Sequence, residues 1–321
     1  MTEPLVSIVM PVFNAGPYLN AALHSMSVQT FKDWEMICID DGSSDNSGAI
    51  LDGLAQGDRR VRVIHQENQG IVRTLNTGIH LARGSLVCRM DGDDISMPDR
   101  LARQVAFLCG KPDHVAVGGA ILKIDSDSDP LGMEQLPADH ESIERALLQR
   151  RTGMFHPTTL IRTSALMAAG GYRPEYEWVE DHDLWLRLAQ RGRLGNVQEL
   201  VLCYRLHATS VCWQRSATQR ERMTCLLREA YAARAMDLPA EFALTASTQR
   251  SAAGPGKWAR MAAKGYAPRT AWKHLGHMWR DPTCNAAYRL RMTFETVLRM
   301  LVSLPTLPLQ HLPAVPRFQT E

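Results

Sequence analysis

The chain has 321 residues, of which 45% are hydrophobic and 22% charged, with a formal net charge of +2. That balance excludes a disordered chain, a collagen and a disulfide scaffold, and the near-neutral total excludes a nucleic-acid binder that works by bulk charge. The length fits about two domains, and a chain of this size buries enough surface to fold without cross-links.

Leu5 to Val12 is an apolar run of strand type and length, and Tyr18 to Val28 carries apolar residues at helical spacing. Trp34 to Ile39 reads as a second strand that ends on Asp40-Asp41-Gly42. Asp45 or Asn46 is placed to cap a helix running to about Ala55. Val61 to Ile64 is a third strand and Ile71 to Ala82 a helix. Leu86 to Met90 is a fourth strand, ending on Asp91-Gly92-Asp93-Asp94. Pro98 suits the first turn of a helix through Leu108, and Val115 to Ile124 is a further strand. Strands alternating with helices over short connections predict an α/β fold with a doubly wound, mostly parallel sheet. Ligands of such sheets bind beyond the carboxyl ends of the strands, where both acidic clusters fall.

From about Ser216 the pattern turns helical, most clearly over Gln219 to Met236 and Tyr288 to Leu301, with a loop expected around Ser251–Pro255–Gly256. The four prolines between Leu304 and Pro316 exclude one continuous helix there. Charge divides with the pattern. Residues 214–321 hold 16 Lys/Arg against 7 Asp/Glu, and residues 1–213 hold 20 against 27. We therefore expect a nucleotide-binding catalytic domain over 1–213 and a basic, mainly helical region over 214–321.

The seven cysteines include no C-x-x-C pair, and several lie in apolar runs, so they read as reduced, mostly buried thiols of a cytoplasmic protein. MTEPLVSIVMPVFN has no basic leader, so no signal peptide is expected, and no window of eighteen apolar residues predicts a membrane span.

Three carboxylates in the four residues Asp91 to Asp94 repel one another, and a cation between them relieves this. All-oxygen ligands favour Mg²⁺ or Mn²⁺, and Mg²⁺ commonly shares one or two carboxylates with substrate phosphates. The bland alternative is an acidic turn before a helix. Asp40 and Asp41 place carboxylates at the sheet's mouth, where they could accept from a base N–H or a ribose hydroxyl; a turn with a helix cap explains them equally well. In Glu180-Asp181-His182-Asp183-Leu184-Trp185, two acids open a helix whose apolar stripe is Leu184, Trp185 and Leu188. A carboxylate there can serve as general base for an alcohol, or simply complement the helix dipole. His156 and His207 are candidates to touch a phosphate or a metal, or structural histidines. His274-Leu-Gly-His277 lacks an acidic or Cys partner nearby in sequence and is not read as a zinc site. Asp125-Ser-Asp127-Ser-Asp129 begins like a calcium loop but has Pro130 and Leu136 where Gly and Glu are needed. Gly118-Gly119 and Gly170-Gly171 form neither a dinucleotide fingerprint nor a P-loop.

SIVMPVFN (7–14), IDDGSSDNS (39–47), NQGIVRTLNTGI (68–79), ARGSLVCRMDGDD (82–94), GGYRPEYEWVEDHDLWLRL (170–188) and YRLH (204–207), in this order, resemble glycosyltransferase family 2, whose members are inverting enzymes of the nucleotide-sugar-binding GT-A fold. The resemblance implies a nucleotide cradle from Pro11, Val12 and Asn14 and a base contact from Asp41, with Asp40 beside it. It implies that Arg73 and Asn76 approach the nucleotide and diphosphate, that Asp91, Gly92 and Asp93 form the D-x-D element, and that Asp94 lies behind the metal or near the donor sugar. Asp91 and Asp93, with His207, are the expected metal ligands, Asp181 the expected base, with Glu180 beside it. Arg89 before the acidic turn and Val72 to Asn76 depart from the family's usual pattern. The Q-x-x-R-W motif of processive synthases is missing, which implies transfer of a single sugar.

The implied activity moves one sugar from a nucleotide diphospho-sugar, UDP-linked by preference, to a carbohydrate or lipid-linked saccharide in cell-surface polysaccharide or glycolipid synthesis. Nucleic acid is not an expected partner. Arg289, Arg291 and Arg299 beside Met292, Phe294, Val297, Leu298 and Leu301 make a basic amphipathic stretch, so peripheral contact with the inner face of the cytoplasmic membrane is weighed evenly against plain packing. A sugar-nucleotide nucleotidyltransferase needs a basic Gly-rich loop after the first strand, yet no Lys or Arg precedes Lys32. An inactive nucleotide-binding scaffold fits poorly with four carboxylates kept together.

Overall fold

The structure, a computed structural model, describes residues 3–207, 216–243, 255–265, 267–302 and 315–316. Four parallel strands carry the first half: β1 (Val6–Val12), β2 (Trp34–Asp40), β3 (Val61–His65) and β4 (Leu86–Arg89). Between them run α1 (Gly16–Ser27), α2 (Ser47–Gly57) and α3 (Ile71–Leu81). The second half adds β5 (Ile95–Ser96), α4 (Arg100–Gly110), β6 (His114–Ile124), β7 (Pro130–Glu134), α5 (His140–Leu148), β8 (Leu160–Arg162), α6 (Thr163–Ala168), α7 (Glu180–Leu188) and β9 (Arg193–Arg205). All nine strands join one sheet in the order β3-β2-β1-β4-β8-β6-β9-β5, with β7 on β6.

The strand periodicity of two distributes the core over both faces. Val6, Ile8, Met10 and Val12 of β1 point to one side with Met36 and Cys38, under α1 and α4. Val9, Ile37 and Ile39 point to the other, under α3 and α7. A β-carbon on Gly78 would lie 2.3 Å from Val9 Cγ1, so α3 seats on β1 only because that residue has no side chain.

The parallel half matches the expected alternation to within a residue or two. Four strands were not anticipated: β5, β7, β8 and β9. β8 is antiparallel to both β4 and β6, and β5 to β9. Two or three residues are too few to show alternation, and β9 reads as neither period because its register on β6 shifts. Pro98 lies in the turn before α4 rather than in its first turn, its carbonyl accepting from Thr30 N at 2.8 Å.

In the C-terminal part, α8 (Ser216–Ala232) inserts Leu226, Leu227, Ala230 and Tyr231 into the core shared by α5 and α7. The short α9 (Ala240–Ala243) follows. Then α10 (Pro255–Lys264), α11 (Pro268–Arg280) and α12 (Ala286–Val302) pack on one another and on β7. Pro255 and Gly256, expected in a loop, open α10; residues 251–254 and most of the proline-rich tail lie outside the described residues. Gly132, at φ +145°, and Gly265 meet back to back: a β-carbon on Gly132 would lie 2.9 Å from Gly265 Cα.

Candidate active site

The parallel register aligns the end of β1 with the two acidic strand ends. Val12 pairs with Asp40 and Val9 with Arg89, so the chain leaves β1, β2 and β4 at one edge. Asp41 N donates to Val12 O at 2.9 Å, and Met90 N to Val9 O at 3.2 Å. A β-carbon on Gly92 would lie 3.3 Å from Ala15 Cβ and 3.6 Å from Val12 Cγ2, which seats the 91–94 turn against the end of β1.

Several predicted cradle residues stitch these loops together. Asn14, at φ +51°, accepts from Ser44 N at 2.8 Å, and its own N–H donates to Ser43 Oγ at 3.0 Å. Pro11 and Val12 are buried, so only their backbone edge borders the site. Asp40 accepts from Ser43 N and lies 3.0 Å from His65 Nδ1. Its burial raises the pKa, but the Ser43 and His65 hydrogen bonds outweigh this and hold the carboxyl below its usual range. Asp41 accepts from Gln66 Nε2, Gln69 N and Gly70 N at 2.7–3.0 Å, fixing the loop that leads into α3.

Asn76 donates through its amide to Tyr172 O at 2.8 Å and accepts from Tyr172 N at 2.9 Å, so it props the turn at Gly170–Gly171. That turn needs left-handed backbone at both glycines, φ +79° and +66°. Arg73 is exposed on the outer side of α3, in a shallow depression with Gln69, Thr77 and His80 that shares no residue with the acidic turn.

Asp91, Asp93 and Asp94 each offer an oxygen within 4.8 Å of the others. Arg89, 6% exposed, forms an ion pair with Asp91. Burial pushes the Asp91 carboxyl up despite Arg89, with Asp93 adding to the rise. Burial, then Asp93 and Asp91, push Asp94 well above the ordinary range. Asp94 Oδ1 accepts from Arg205 N at 2.8 Å, while its buried Oδ2 has no hydrogen-bond partner among the described residues. An unsatisfied buried oxygen beside two carboxylates suits a hard divalent cation, so the donor set fits Mg²⁺ or Mn²⁺.

His207 comes to this turn because β5 pairs with β9, Ile95 opposite Cys203. Its Nε2 lies 2.9 Å from Asp93 Oδ2, so it touches a predicted metal ligand. Arg205 was not anticipated. It is 3% exposed, donates from Nε to Asp93 O at 2.8 Å, and lies 4.6 Å over the Tyr18 ring. Its other end donates to Asp125 O, Ser126 O and Ser128 Oγ. The YRLH motif contained it, but only the strand pairing gives it a role.

Glu180 and Asp181 open α7, as expected, and the buried stripe extends over Leu184, Trp185, Leu186 and Leu188. Burial, then the Asp181 charge, lift the Glu180 carboxyl to about 7. Arg89 N donates to Thr159 O at 3.0 Å, and His156 of the same segment packs edge-on to Trp185 of α7 with ring centroids 5.9 Å apart, so residues 156–159 bridge β4 and α7. Glu180 Oε2 and Arg89 Nε are both buried without a hydrogen-bond partner among the described residues. Asp181 is half-buried, its Oδ1 accepting from His182 N at 2.7 Å. His156 is structural: it bonds Tyr172 OH at 2.7 Å, and burial, then Arg89, hold it well below its usual pKa and hence neutral.

The calcium-like loop is neutralised by the protein itself. Asp125, fully buried, meets Lys273 Nζ at 2.7 Å and His274 Nε2 at 2.8 Å. His274 thus has the acidic partner that its sequence neighbourhood lacks, and the pair serves packing.

A sheet with its carboxylates at the parallel strand ends, a cation-ready turn and an acid-opened helix is the GT-A architecture. The chain matches the Glycosyl transferase family 2 model over residues 7–170 and belongs to that family. It is 29% identical over 217 residues to the O-antigen biosynthesis glycosyltransferase WbnJ of Escherichia coli, covering 66% of this chain and 83% of that one. The solved structure of S. aureus TarS 1–349 in complex with UDP-GlcNAc aligns over 92% of this chain and 81% of that one, with TM-score 0.55 and 15% identity. The mannosyltransferase PcManGT of Pyrobaculum calidifontis, solved with GDP-Man and Mn²⁺, aligns over 95% and 89%, with TM-score 0.51 and 15% identity. The chain is a glycosyltransferase.

Proposed function

We propose that this glycosyltransferase moves one sugar, with inversion, from a UDP-sugar to a hydroxyl of a carbohydrate or lipid-linked saccharide in cell-surface polysaccharide or glycolipid synthesis. The observation that carries the reading is the cluster of Asp91, Asp93 and Asp94 at the end of β4, each offering an oxygen within 4.8 Å of the others. The free cysteines, Cys38, Cys88 and Cys203 among them buried, support a reducing, cytoplasmic setting. WbnJ's role in O-antigen biosynthesis and the UDP-GlcNAc held by TarS support the acceptor and donor classes.

Asp91 and Asp93, with His207 beside them, would hold Mg²⁺ or Mn²⁺, which supplies positive charge against the leaving diphosphate. The stitched loops of Asn14, Asp40 and Asp41 border the nucleotide at the end of β1. Asp181 takes the acceptor's proton as its oxygen attacks the anomeric carbon from the face opposite the diphosphate. One displacement inverts that carbon, so no covalent carboxylate is needed, unlike the paired acids of retaining hydrolysis. Glu180, whose carboxyl burial lifts to about 7, stands beside Asp181 at the start of α7.

Titration with UDP with and without Mn²⁺, followed by a donor screen that reads nucleoside diphosphate, tests this. Release of UDP with sugar transfer supports it. Pyrophosphate release from a nucleoside triphosphate would mean nucleotidyl transfer, and binding without turnover a scaffold.

A further inference from the structure

We propose that α11 and α12 lay one shared face against the surface of a bilayer rich in anionic phospholipid. On α12, Leu290, Phe294 and Leu298 are 62%, 69% and 47% exposed. At four-residue spacing they drift only about 40° per step and form one stripe. The opposite side is spent inward, with Met292 and Thr296 buried. On α11, Trp272 and Trp279 are 56% and 45% exposed and, seven residues apart, share a side. The two exposed stripes meet where Trp279 Nε1 donates to Thr293 Oγ1 at 3.0 Å, next to Phe294.

This ridge of large apolar side chains is set in positive charge. Arg280, Arg291 and Arg299 are exposed around it. Residues 255–302 hold nine Lys/Arg against two Asp/Glu. Indoles at the edge of an apolar stripe, with arginines beside them, suit the headgroup boundary, and each cation near an anionic surface adds about 1 kcal/mol. No described helix is long and apolar enough to cross a membrane, so the mode is lying on the surface. A second copy is the poorer occupant, since a two-fold contact would set these arginines against themselves.

The test sediments the full chain with vesicles of pure phosphatidylcholine and of phosphatidylcholine mixed with phosphatidylglycerol, at about 0.05 M and about 0.5 M salt. Binding to the anionic vesicles at low salt, weakened at high salt, is expected, with a blue shift of tryptophan emission. Phe294→Glu, at an exposed site that leaves the melting temperature unchanged, should lower partitioning about tenfold or more. No sedimentation at low salt, or equal sedimentation of wild type and Phe294→Glu, overturns the proposal. So does a dimer in sedimentation velocity that Phe294→Glu dissociates while vesicles bind neither form. The readout uses no donor, so it stands or falls apart from the transfer reaction.

Discussion

Asp91 and Asp93 are two residues apart and of one chemical type, yet their loss should be felt differently. Asp93 faces His207 and the cation position, so Asp93→Ala should abolish Mn²⁺ binding by calorimetry and leave the melting temperature near wild type. Asp91 neutralises a buried guanidinium, so Asp91→Ala should also cost about 3 kcal/mol in denaturant unfolding, the usual cost of orphaning a buried charge. Equal stability of the two variants would remove Arg89 from its supposed place. Asp181→Asn should lose at least about two orders of magnitude in turnover and keep donor affinity; near-normal turnover would refute the base assignment. Glu180 gives a pH signature. Its carboxyl ionises near the usual 4.5 when unfolded and about 7 when folded. Between those values only the unfolded chain gives up the proton, so stability falls as pH rises through the window. Glu180→Gln should melt higher than wild type at pH 8 and nearly together with it at pH 4.5.

At the scale of elements, the parallel half was legible because each of its strands is long enough to show an apolar run and is closed by Gly, Asp or Asn. The acidic ends were legible for the same reason: carboxylates stand out at the edge of an apolar strand. What stayed hidden depends on pairing between distant segments. β5 has two residues and no pattern of its own, yet it carries His207 and Arg205 to the acidic turn. The bond of Asn76 to the Tyr172 backbone was hidden because its partner lies 96 residues away. The Asp125 loop looked like a failed metal site, and its cation proved to be a lysine from α11. That cluster should matter to docking. Burial alone would raise the Asp125 pKa, but His274 and Lys273 bring it to about 2 from 3.8. The stability this contributes is present above 3.8 and lost as pH falls toward 2. Asp125→Asn should destabilise the fold by about 3 kcal/mol at neutral pH, measured by chemical denaturation.

Across the whole molecule, the change of charge near residue 214 does not coincide with an edge of the core. Leu226 and Leu227 of α8 are 1% and 0% exposed within the cluster that also holds Leu184 and Trp185. Each such side chain contributes about 1.5–3 kcal/mol by burial, so a chain cut before α8 loses an amount comparable to a typical net stability. Cutting after residue 207 should therefore give an insoluble or molten product, whereas cutting after 243 should leave cooperative melting by circular dichroism. A well-folded product from the shorter cut would show that α8 is an accessory. The Asp125–Asp129 loop also has two clients: its carbonyls and Ser128 grip Arg205, which holds the Asp93 carbonyl and the Asp94 carboxylate, while its carboxylates grip α11. A single small lever thus separates the surface helices from the acidic turn by one side chain on either side. Thermodynamic reciprocity then demands symmetry: any strain that adsorption puts on α11 and that alters cation retention must return as an equal change in adsorption when the cation arrives.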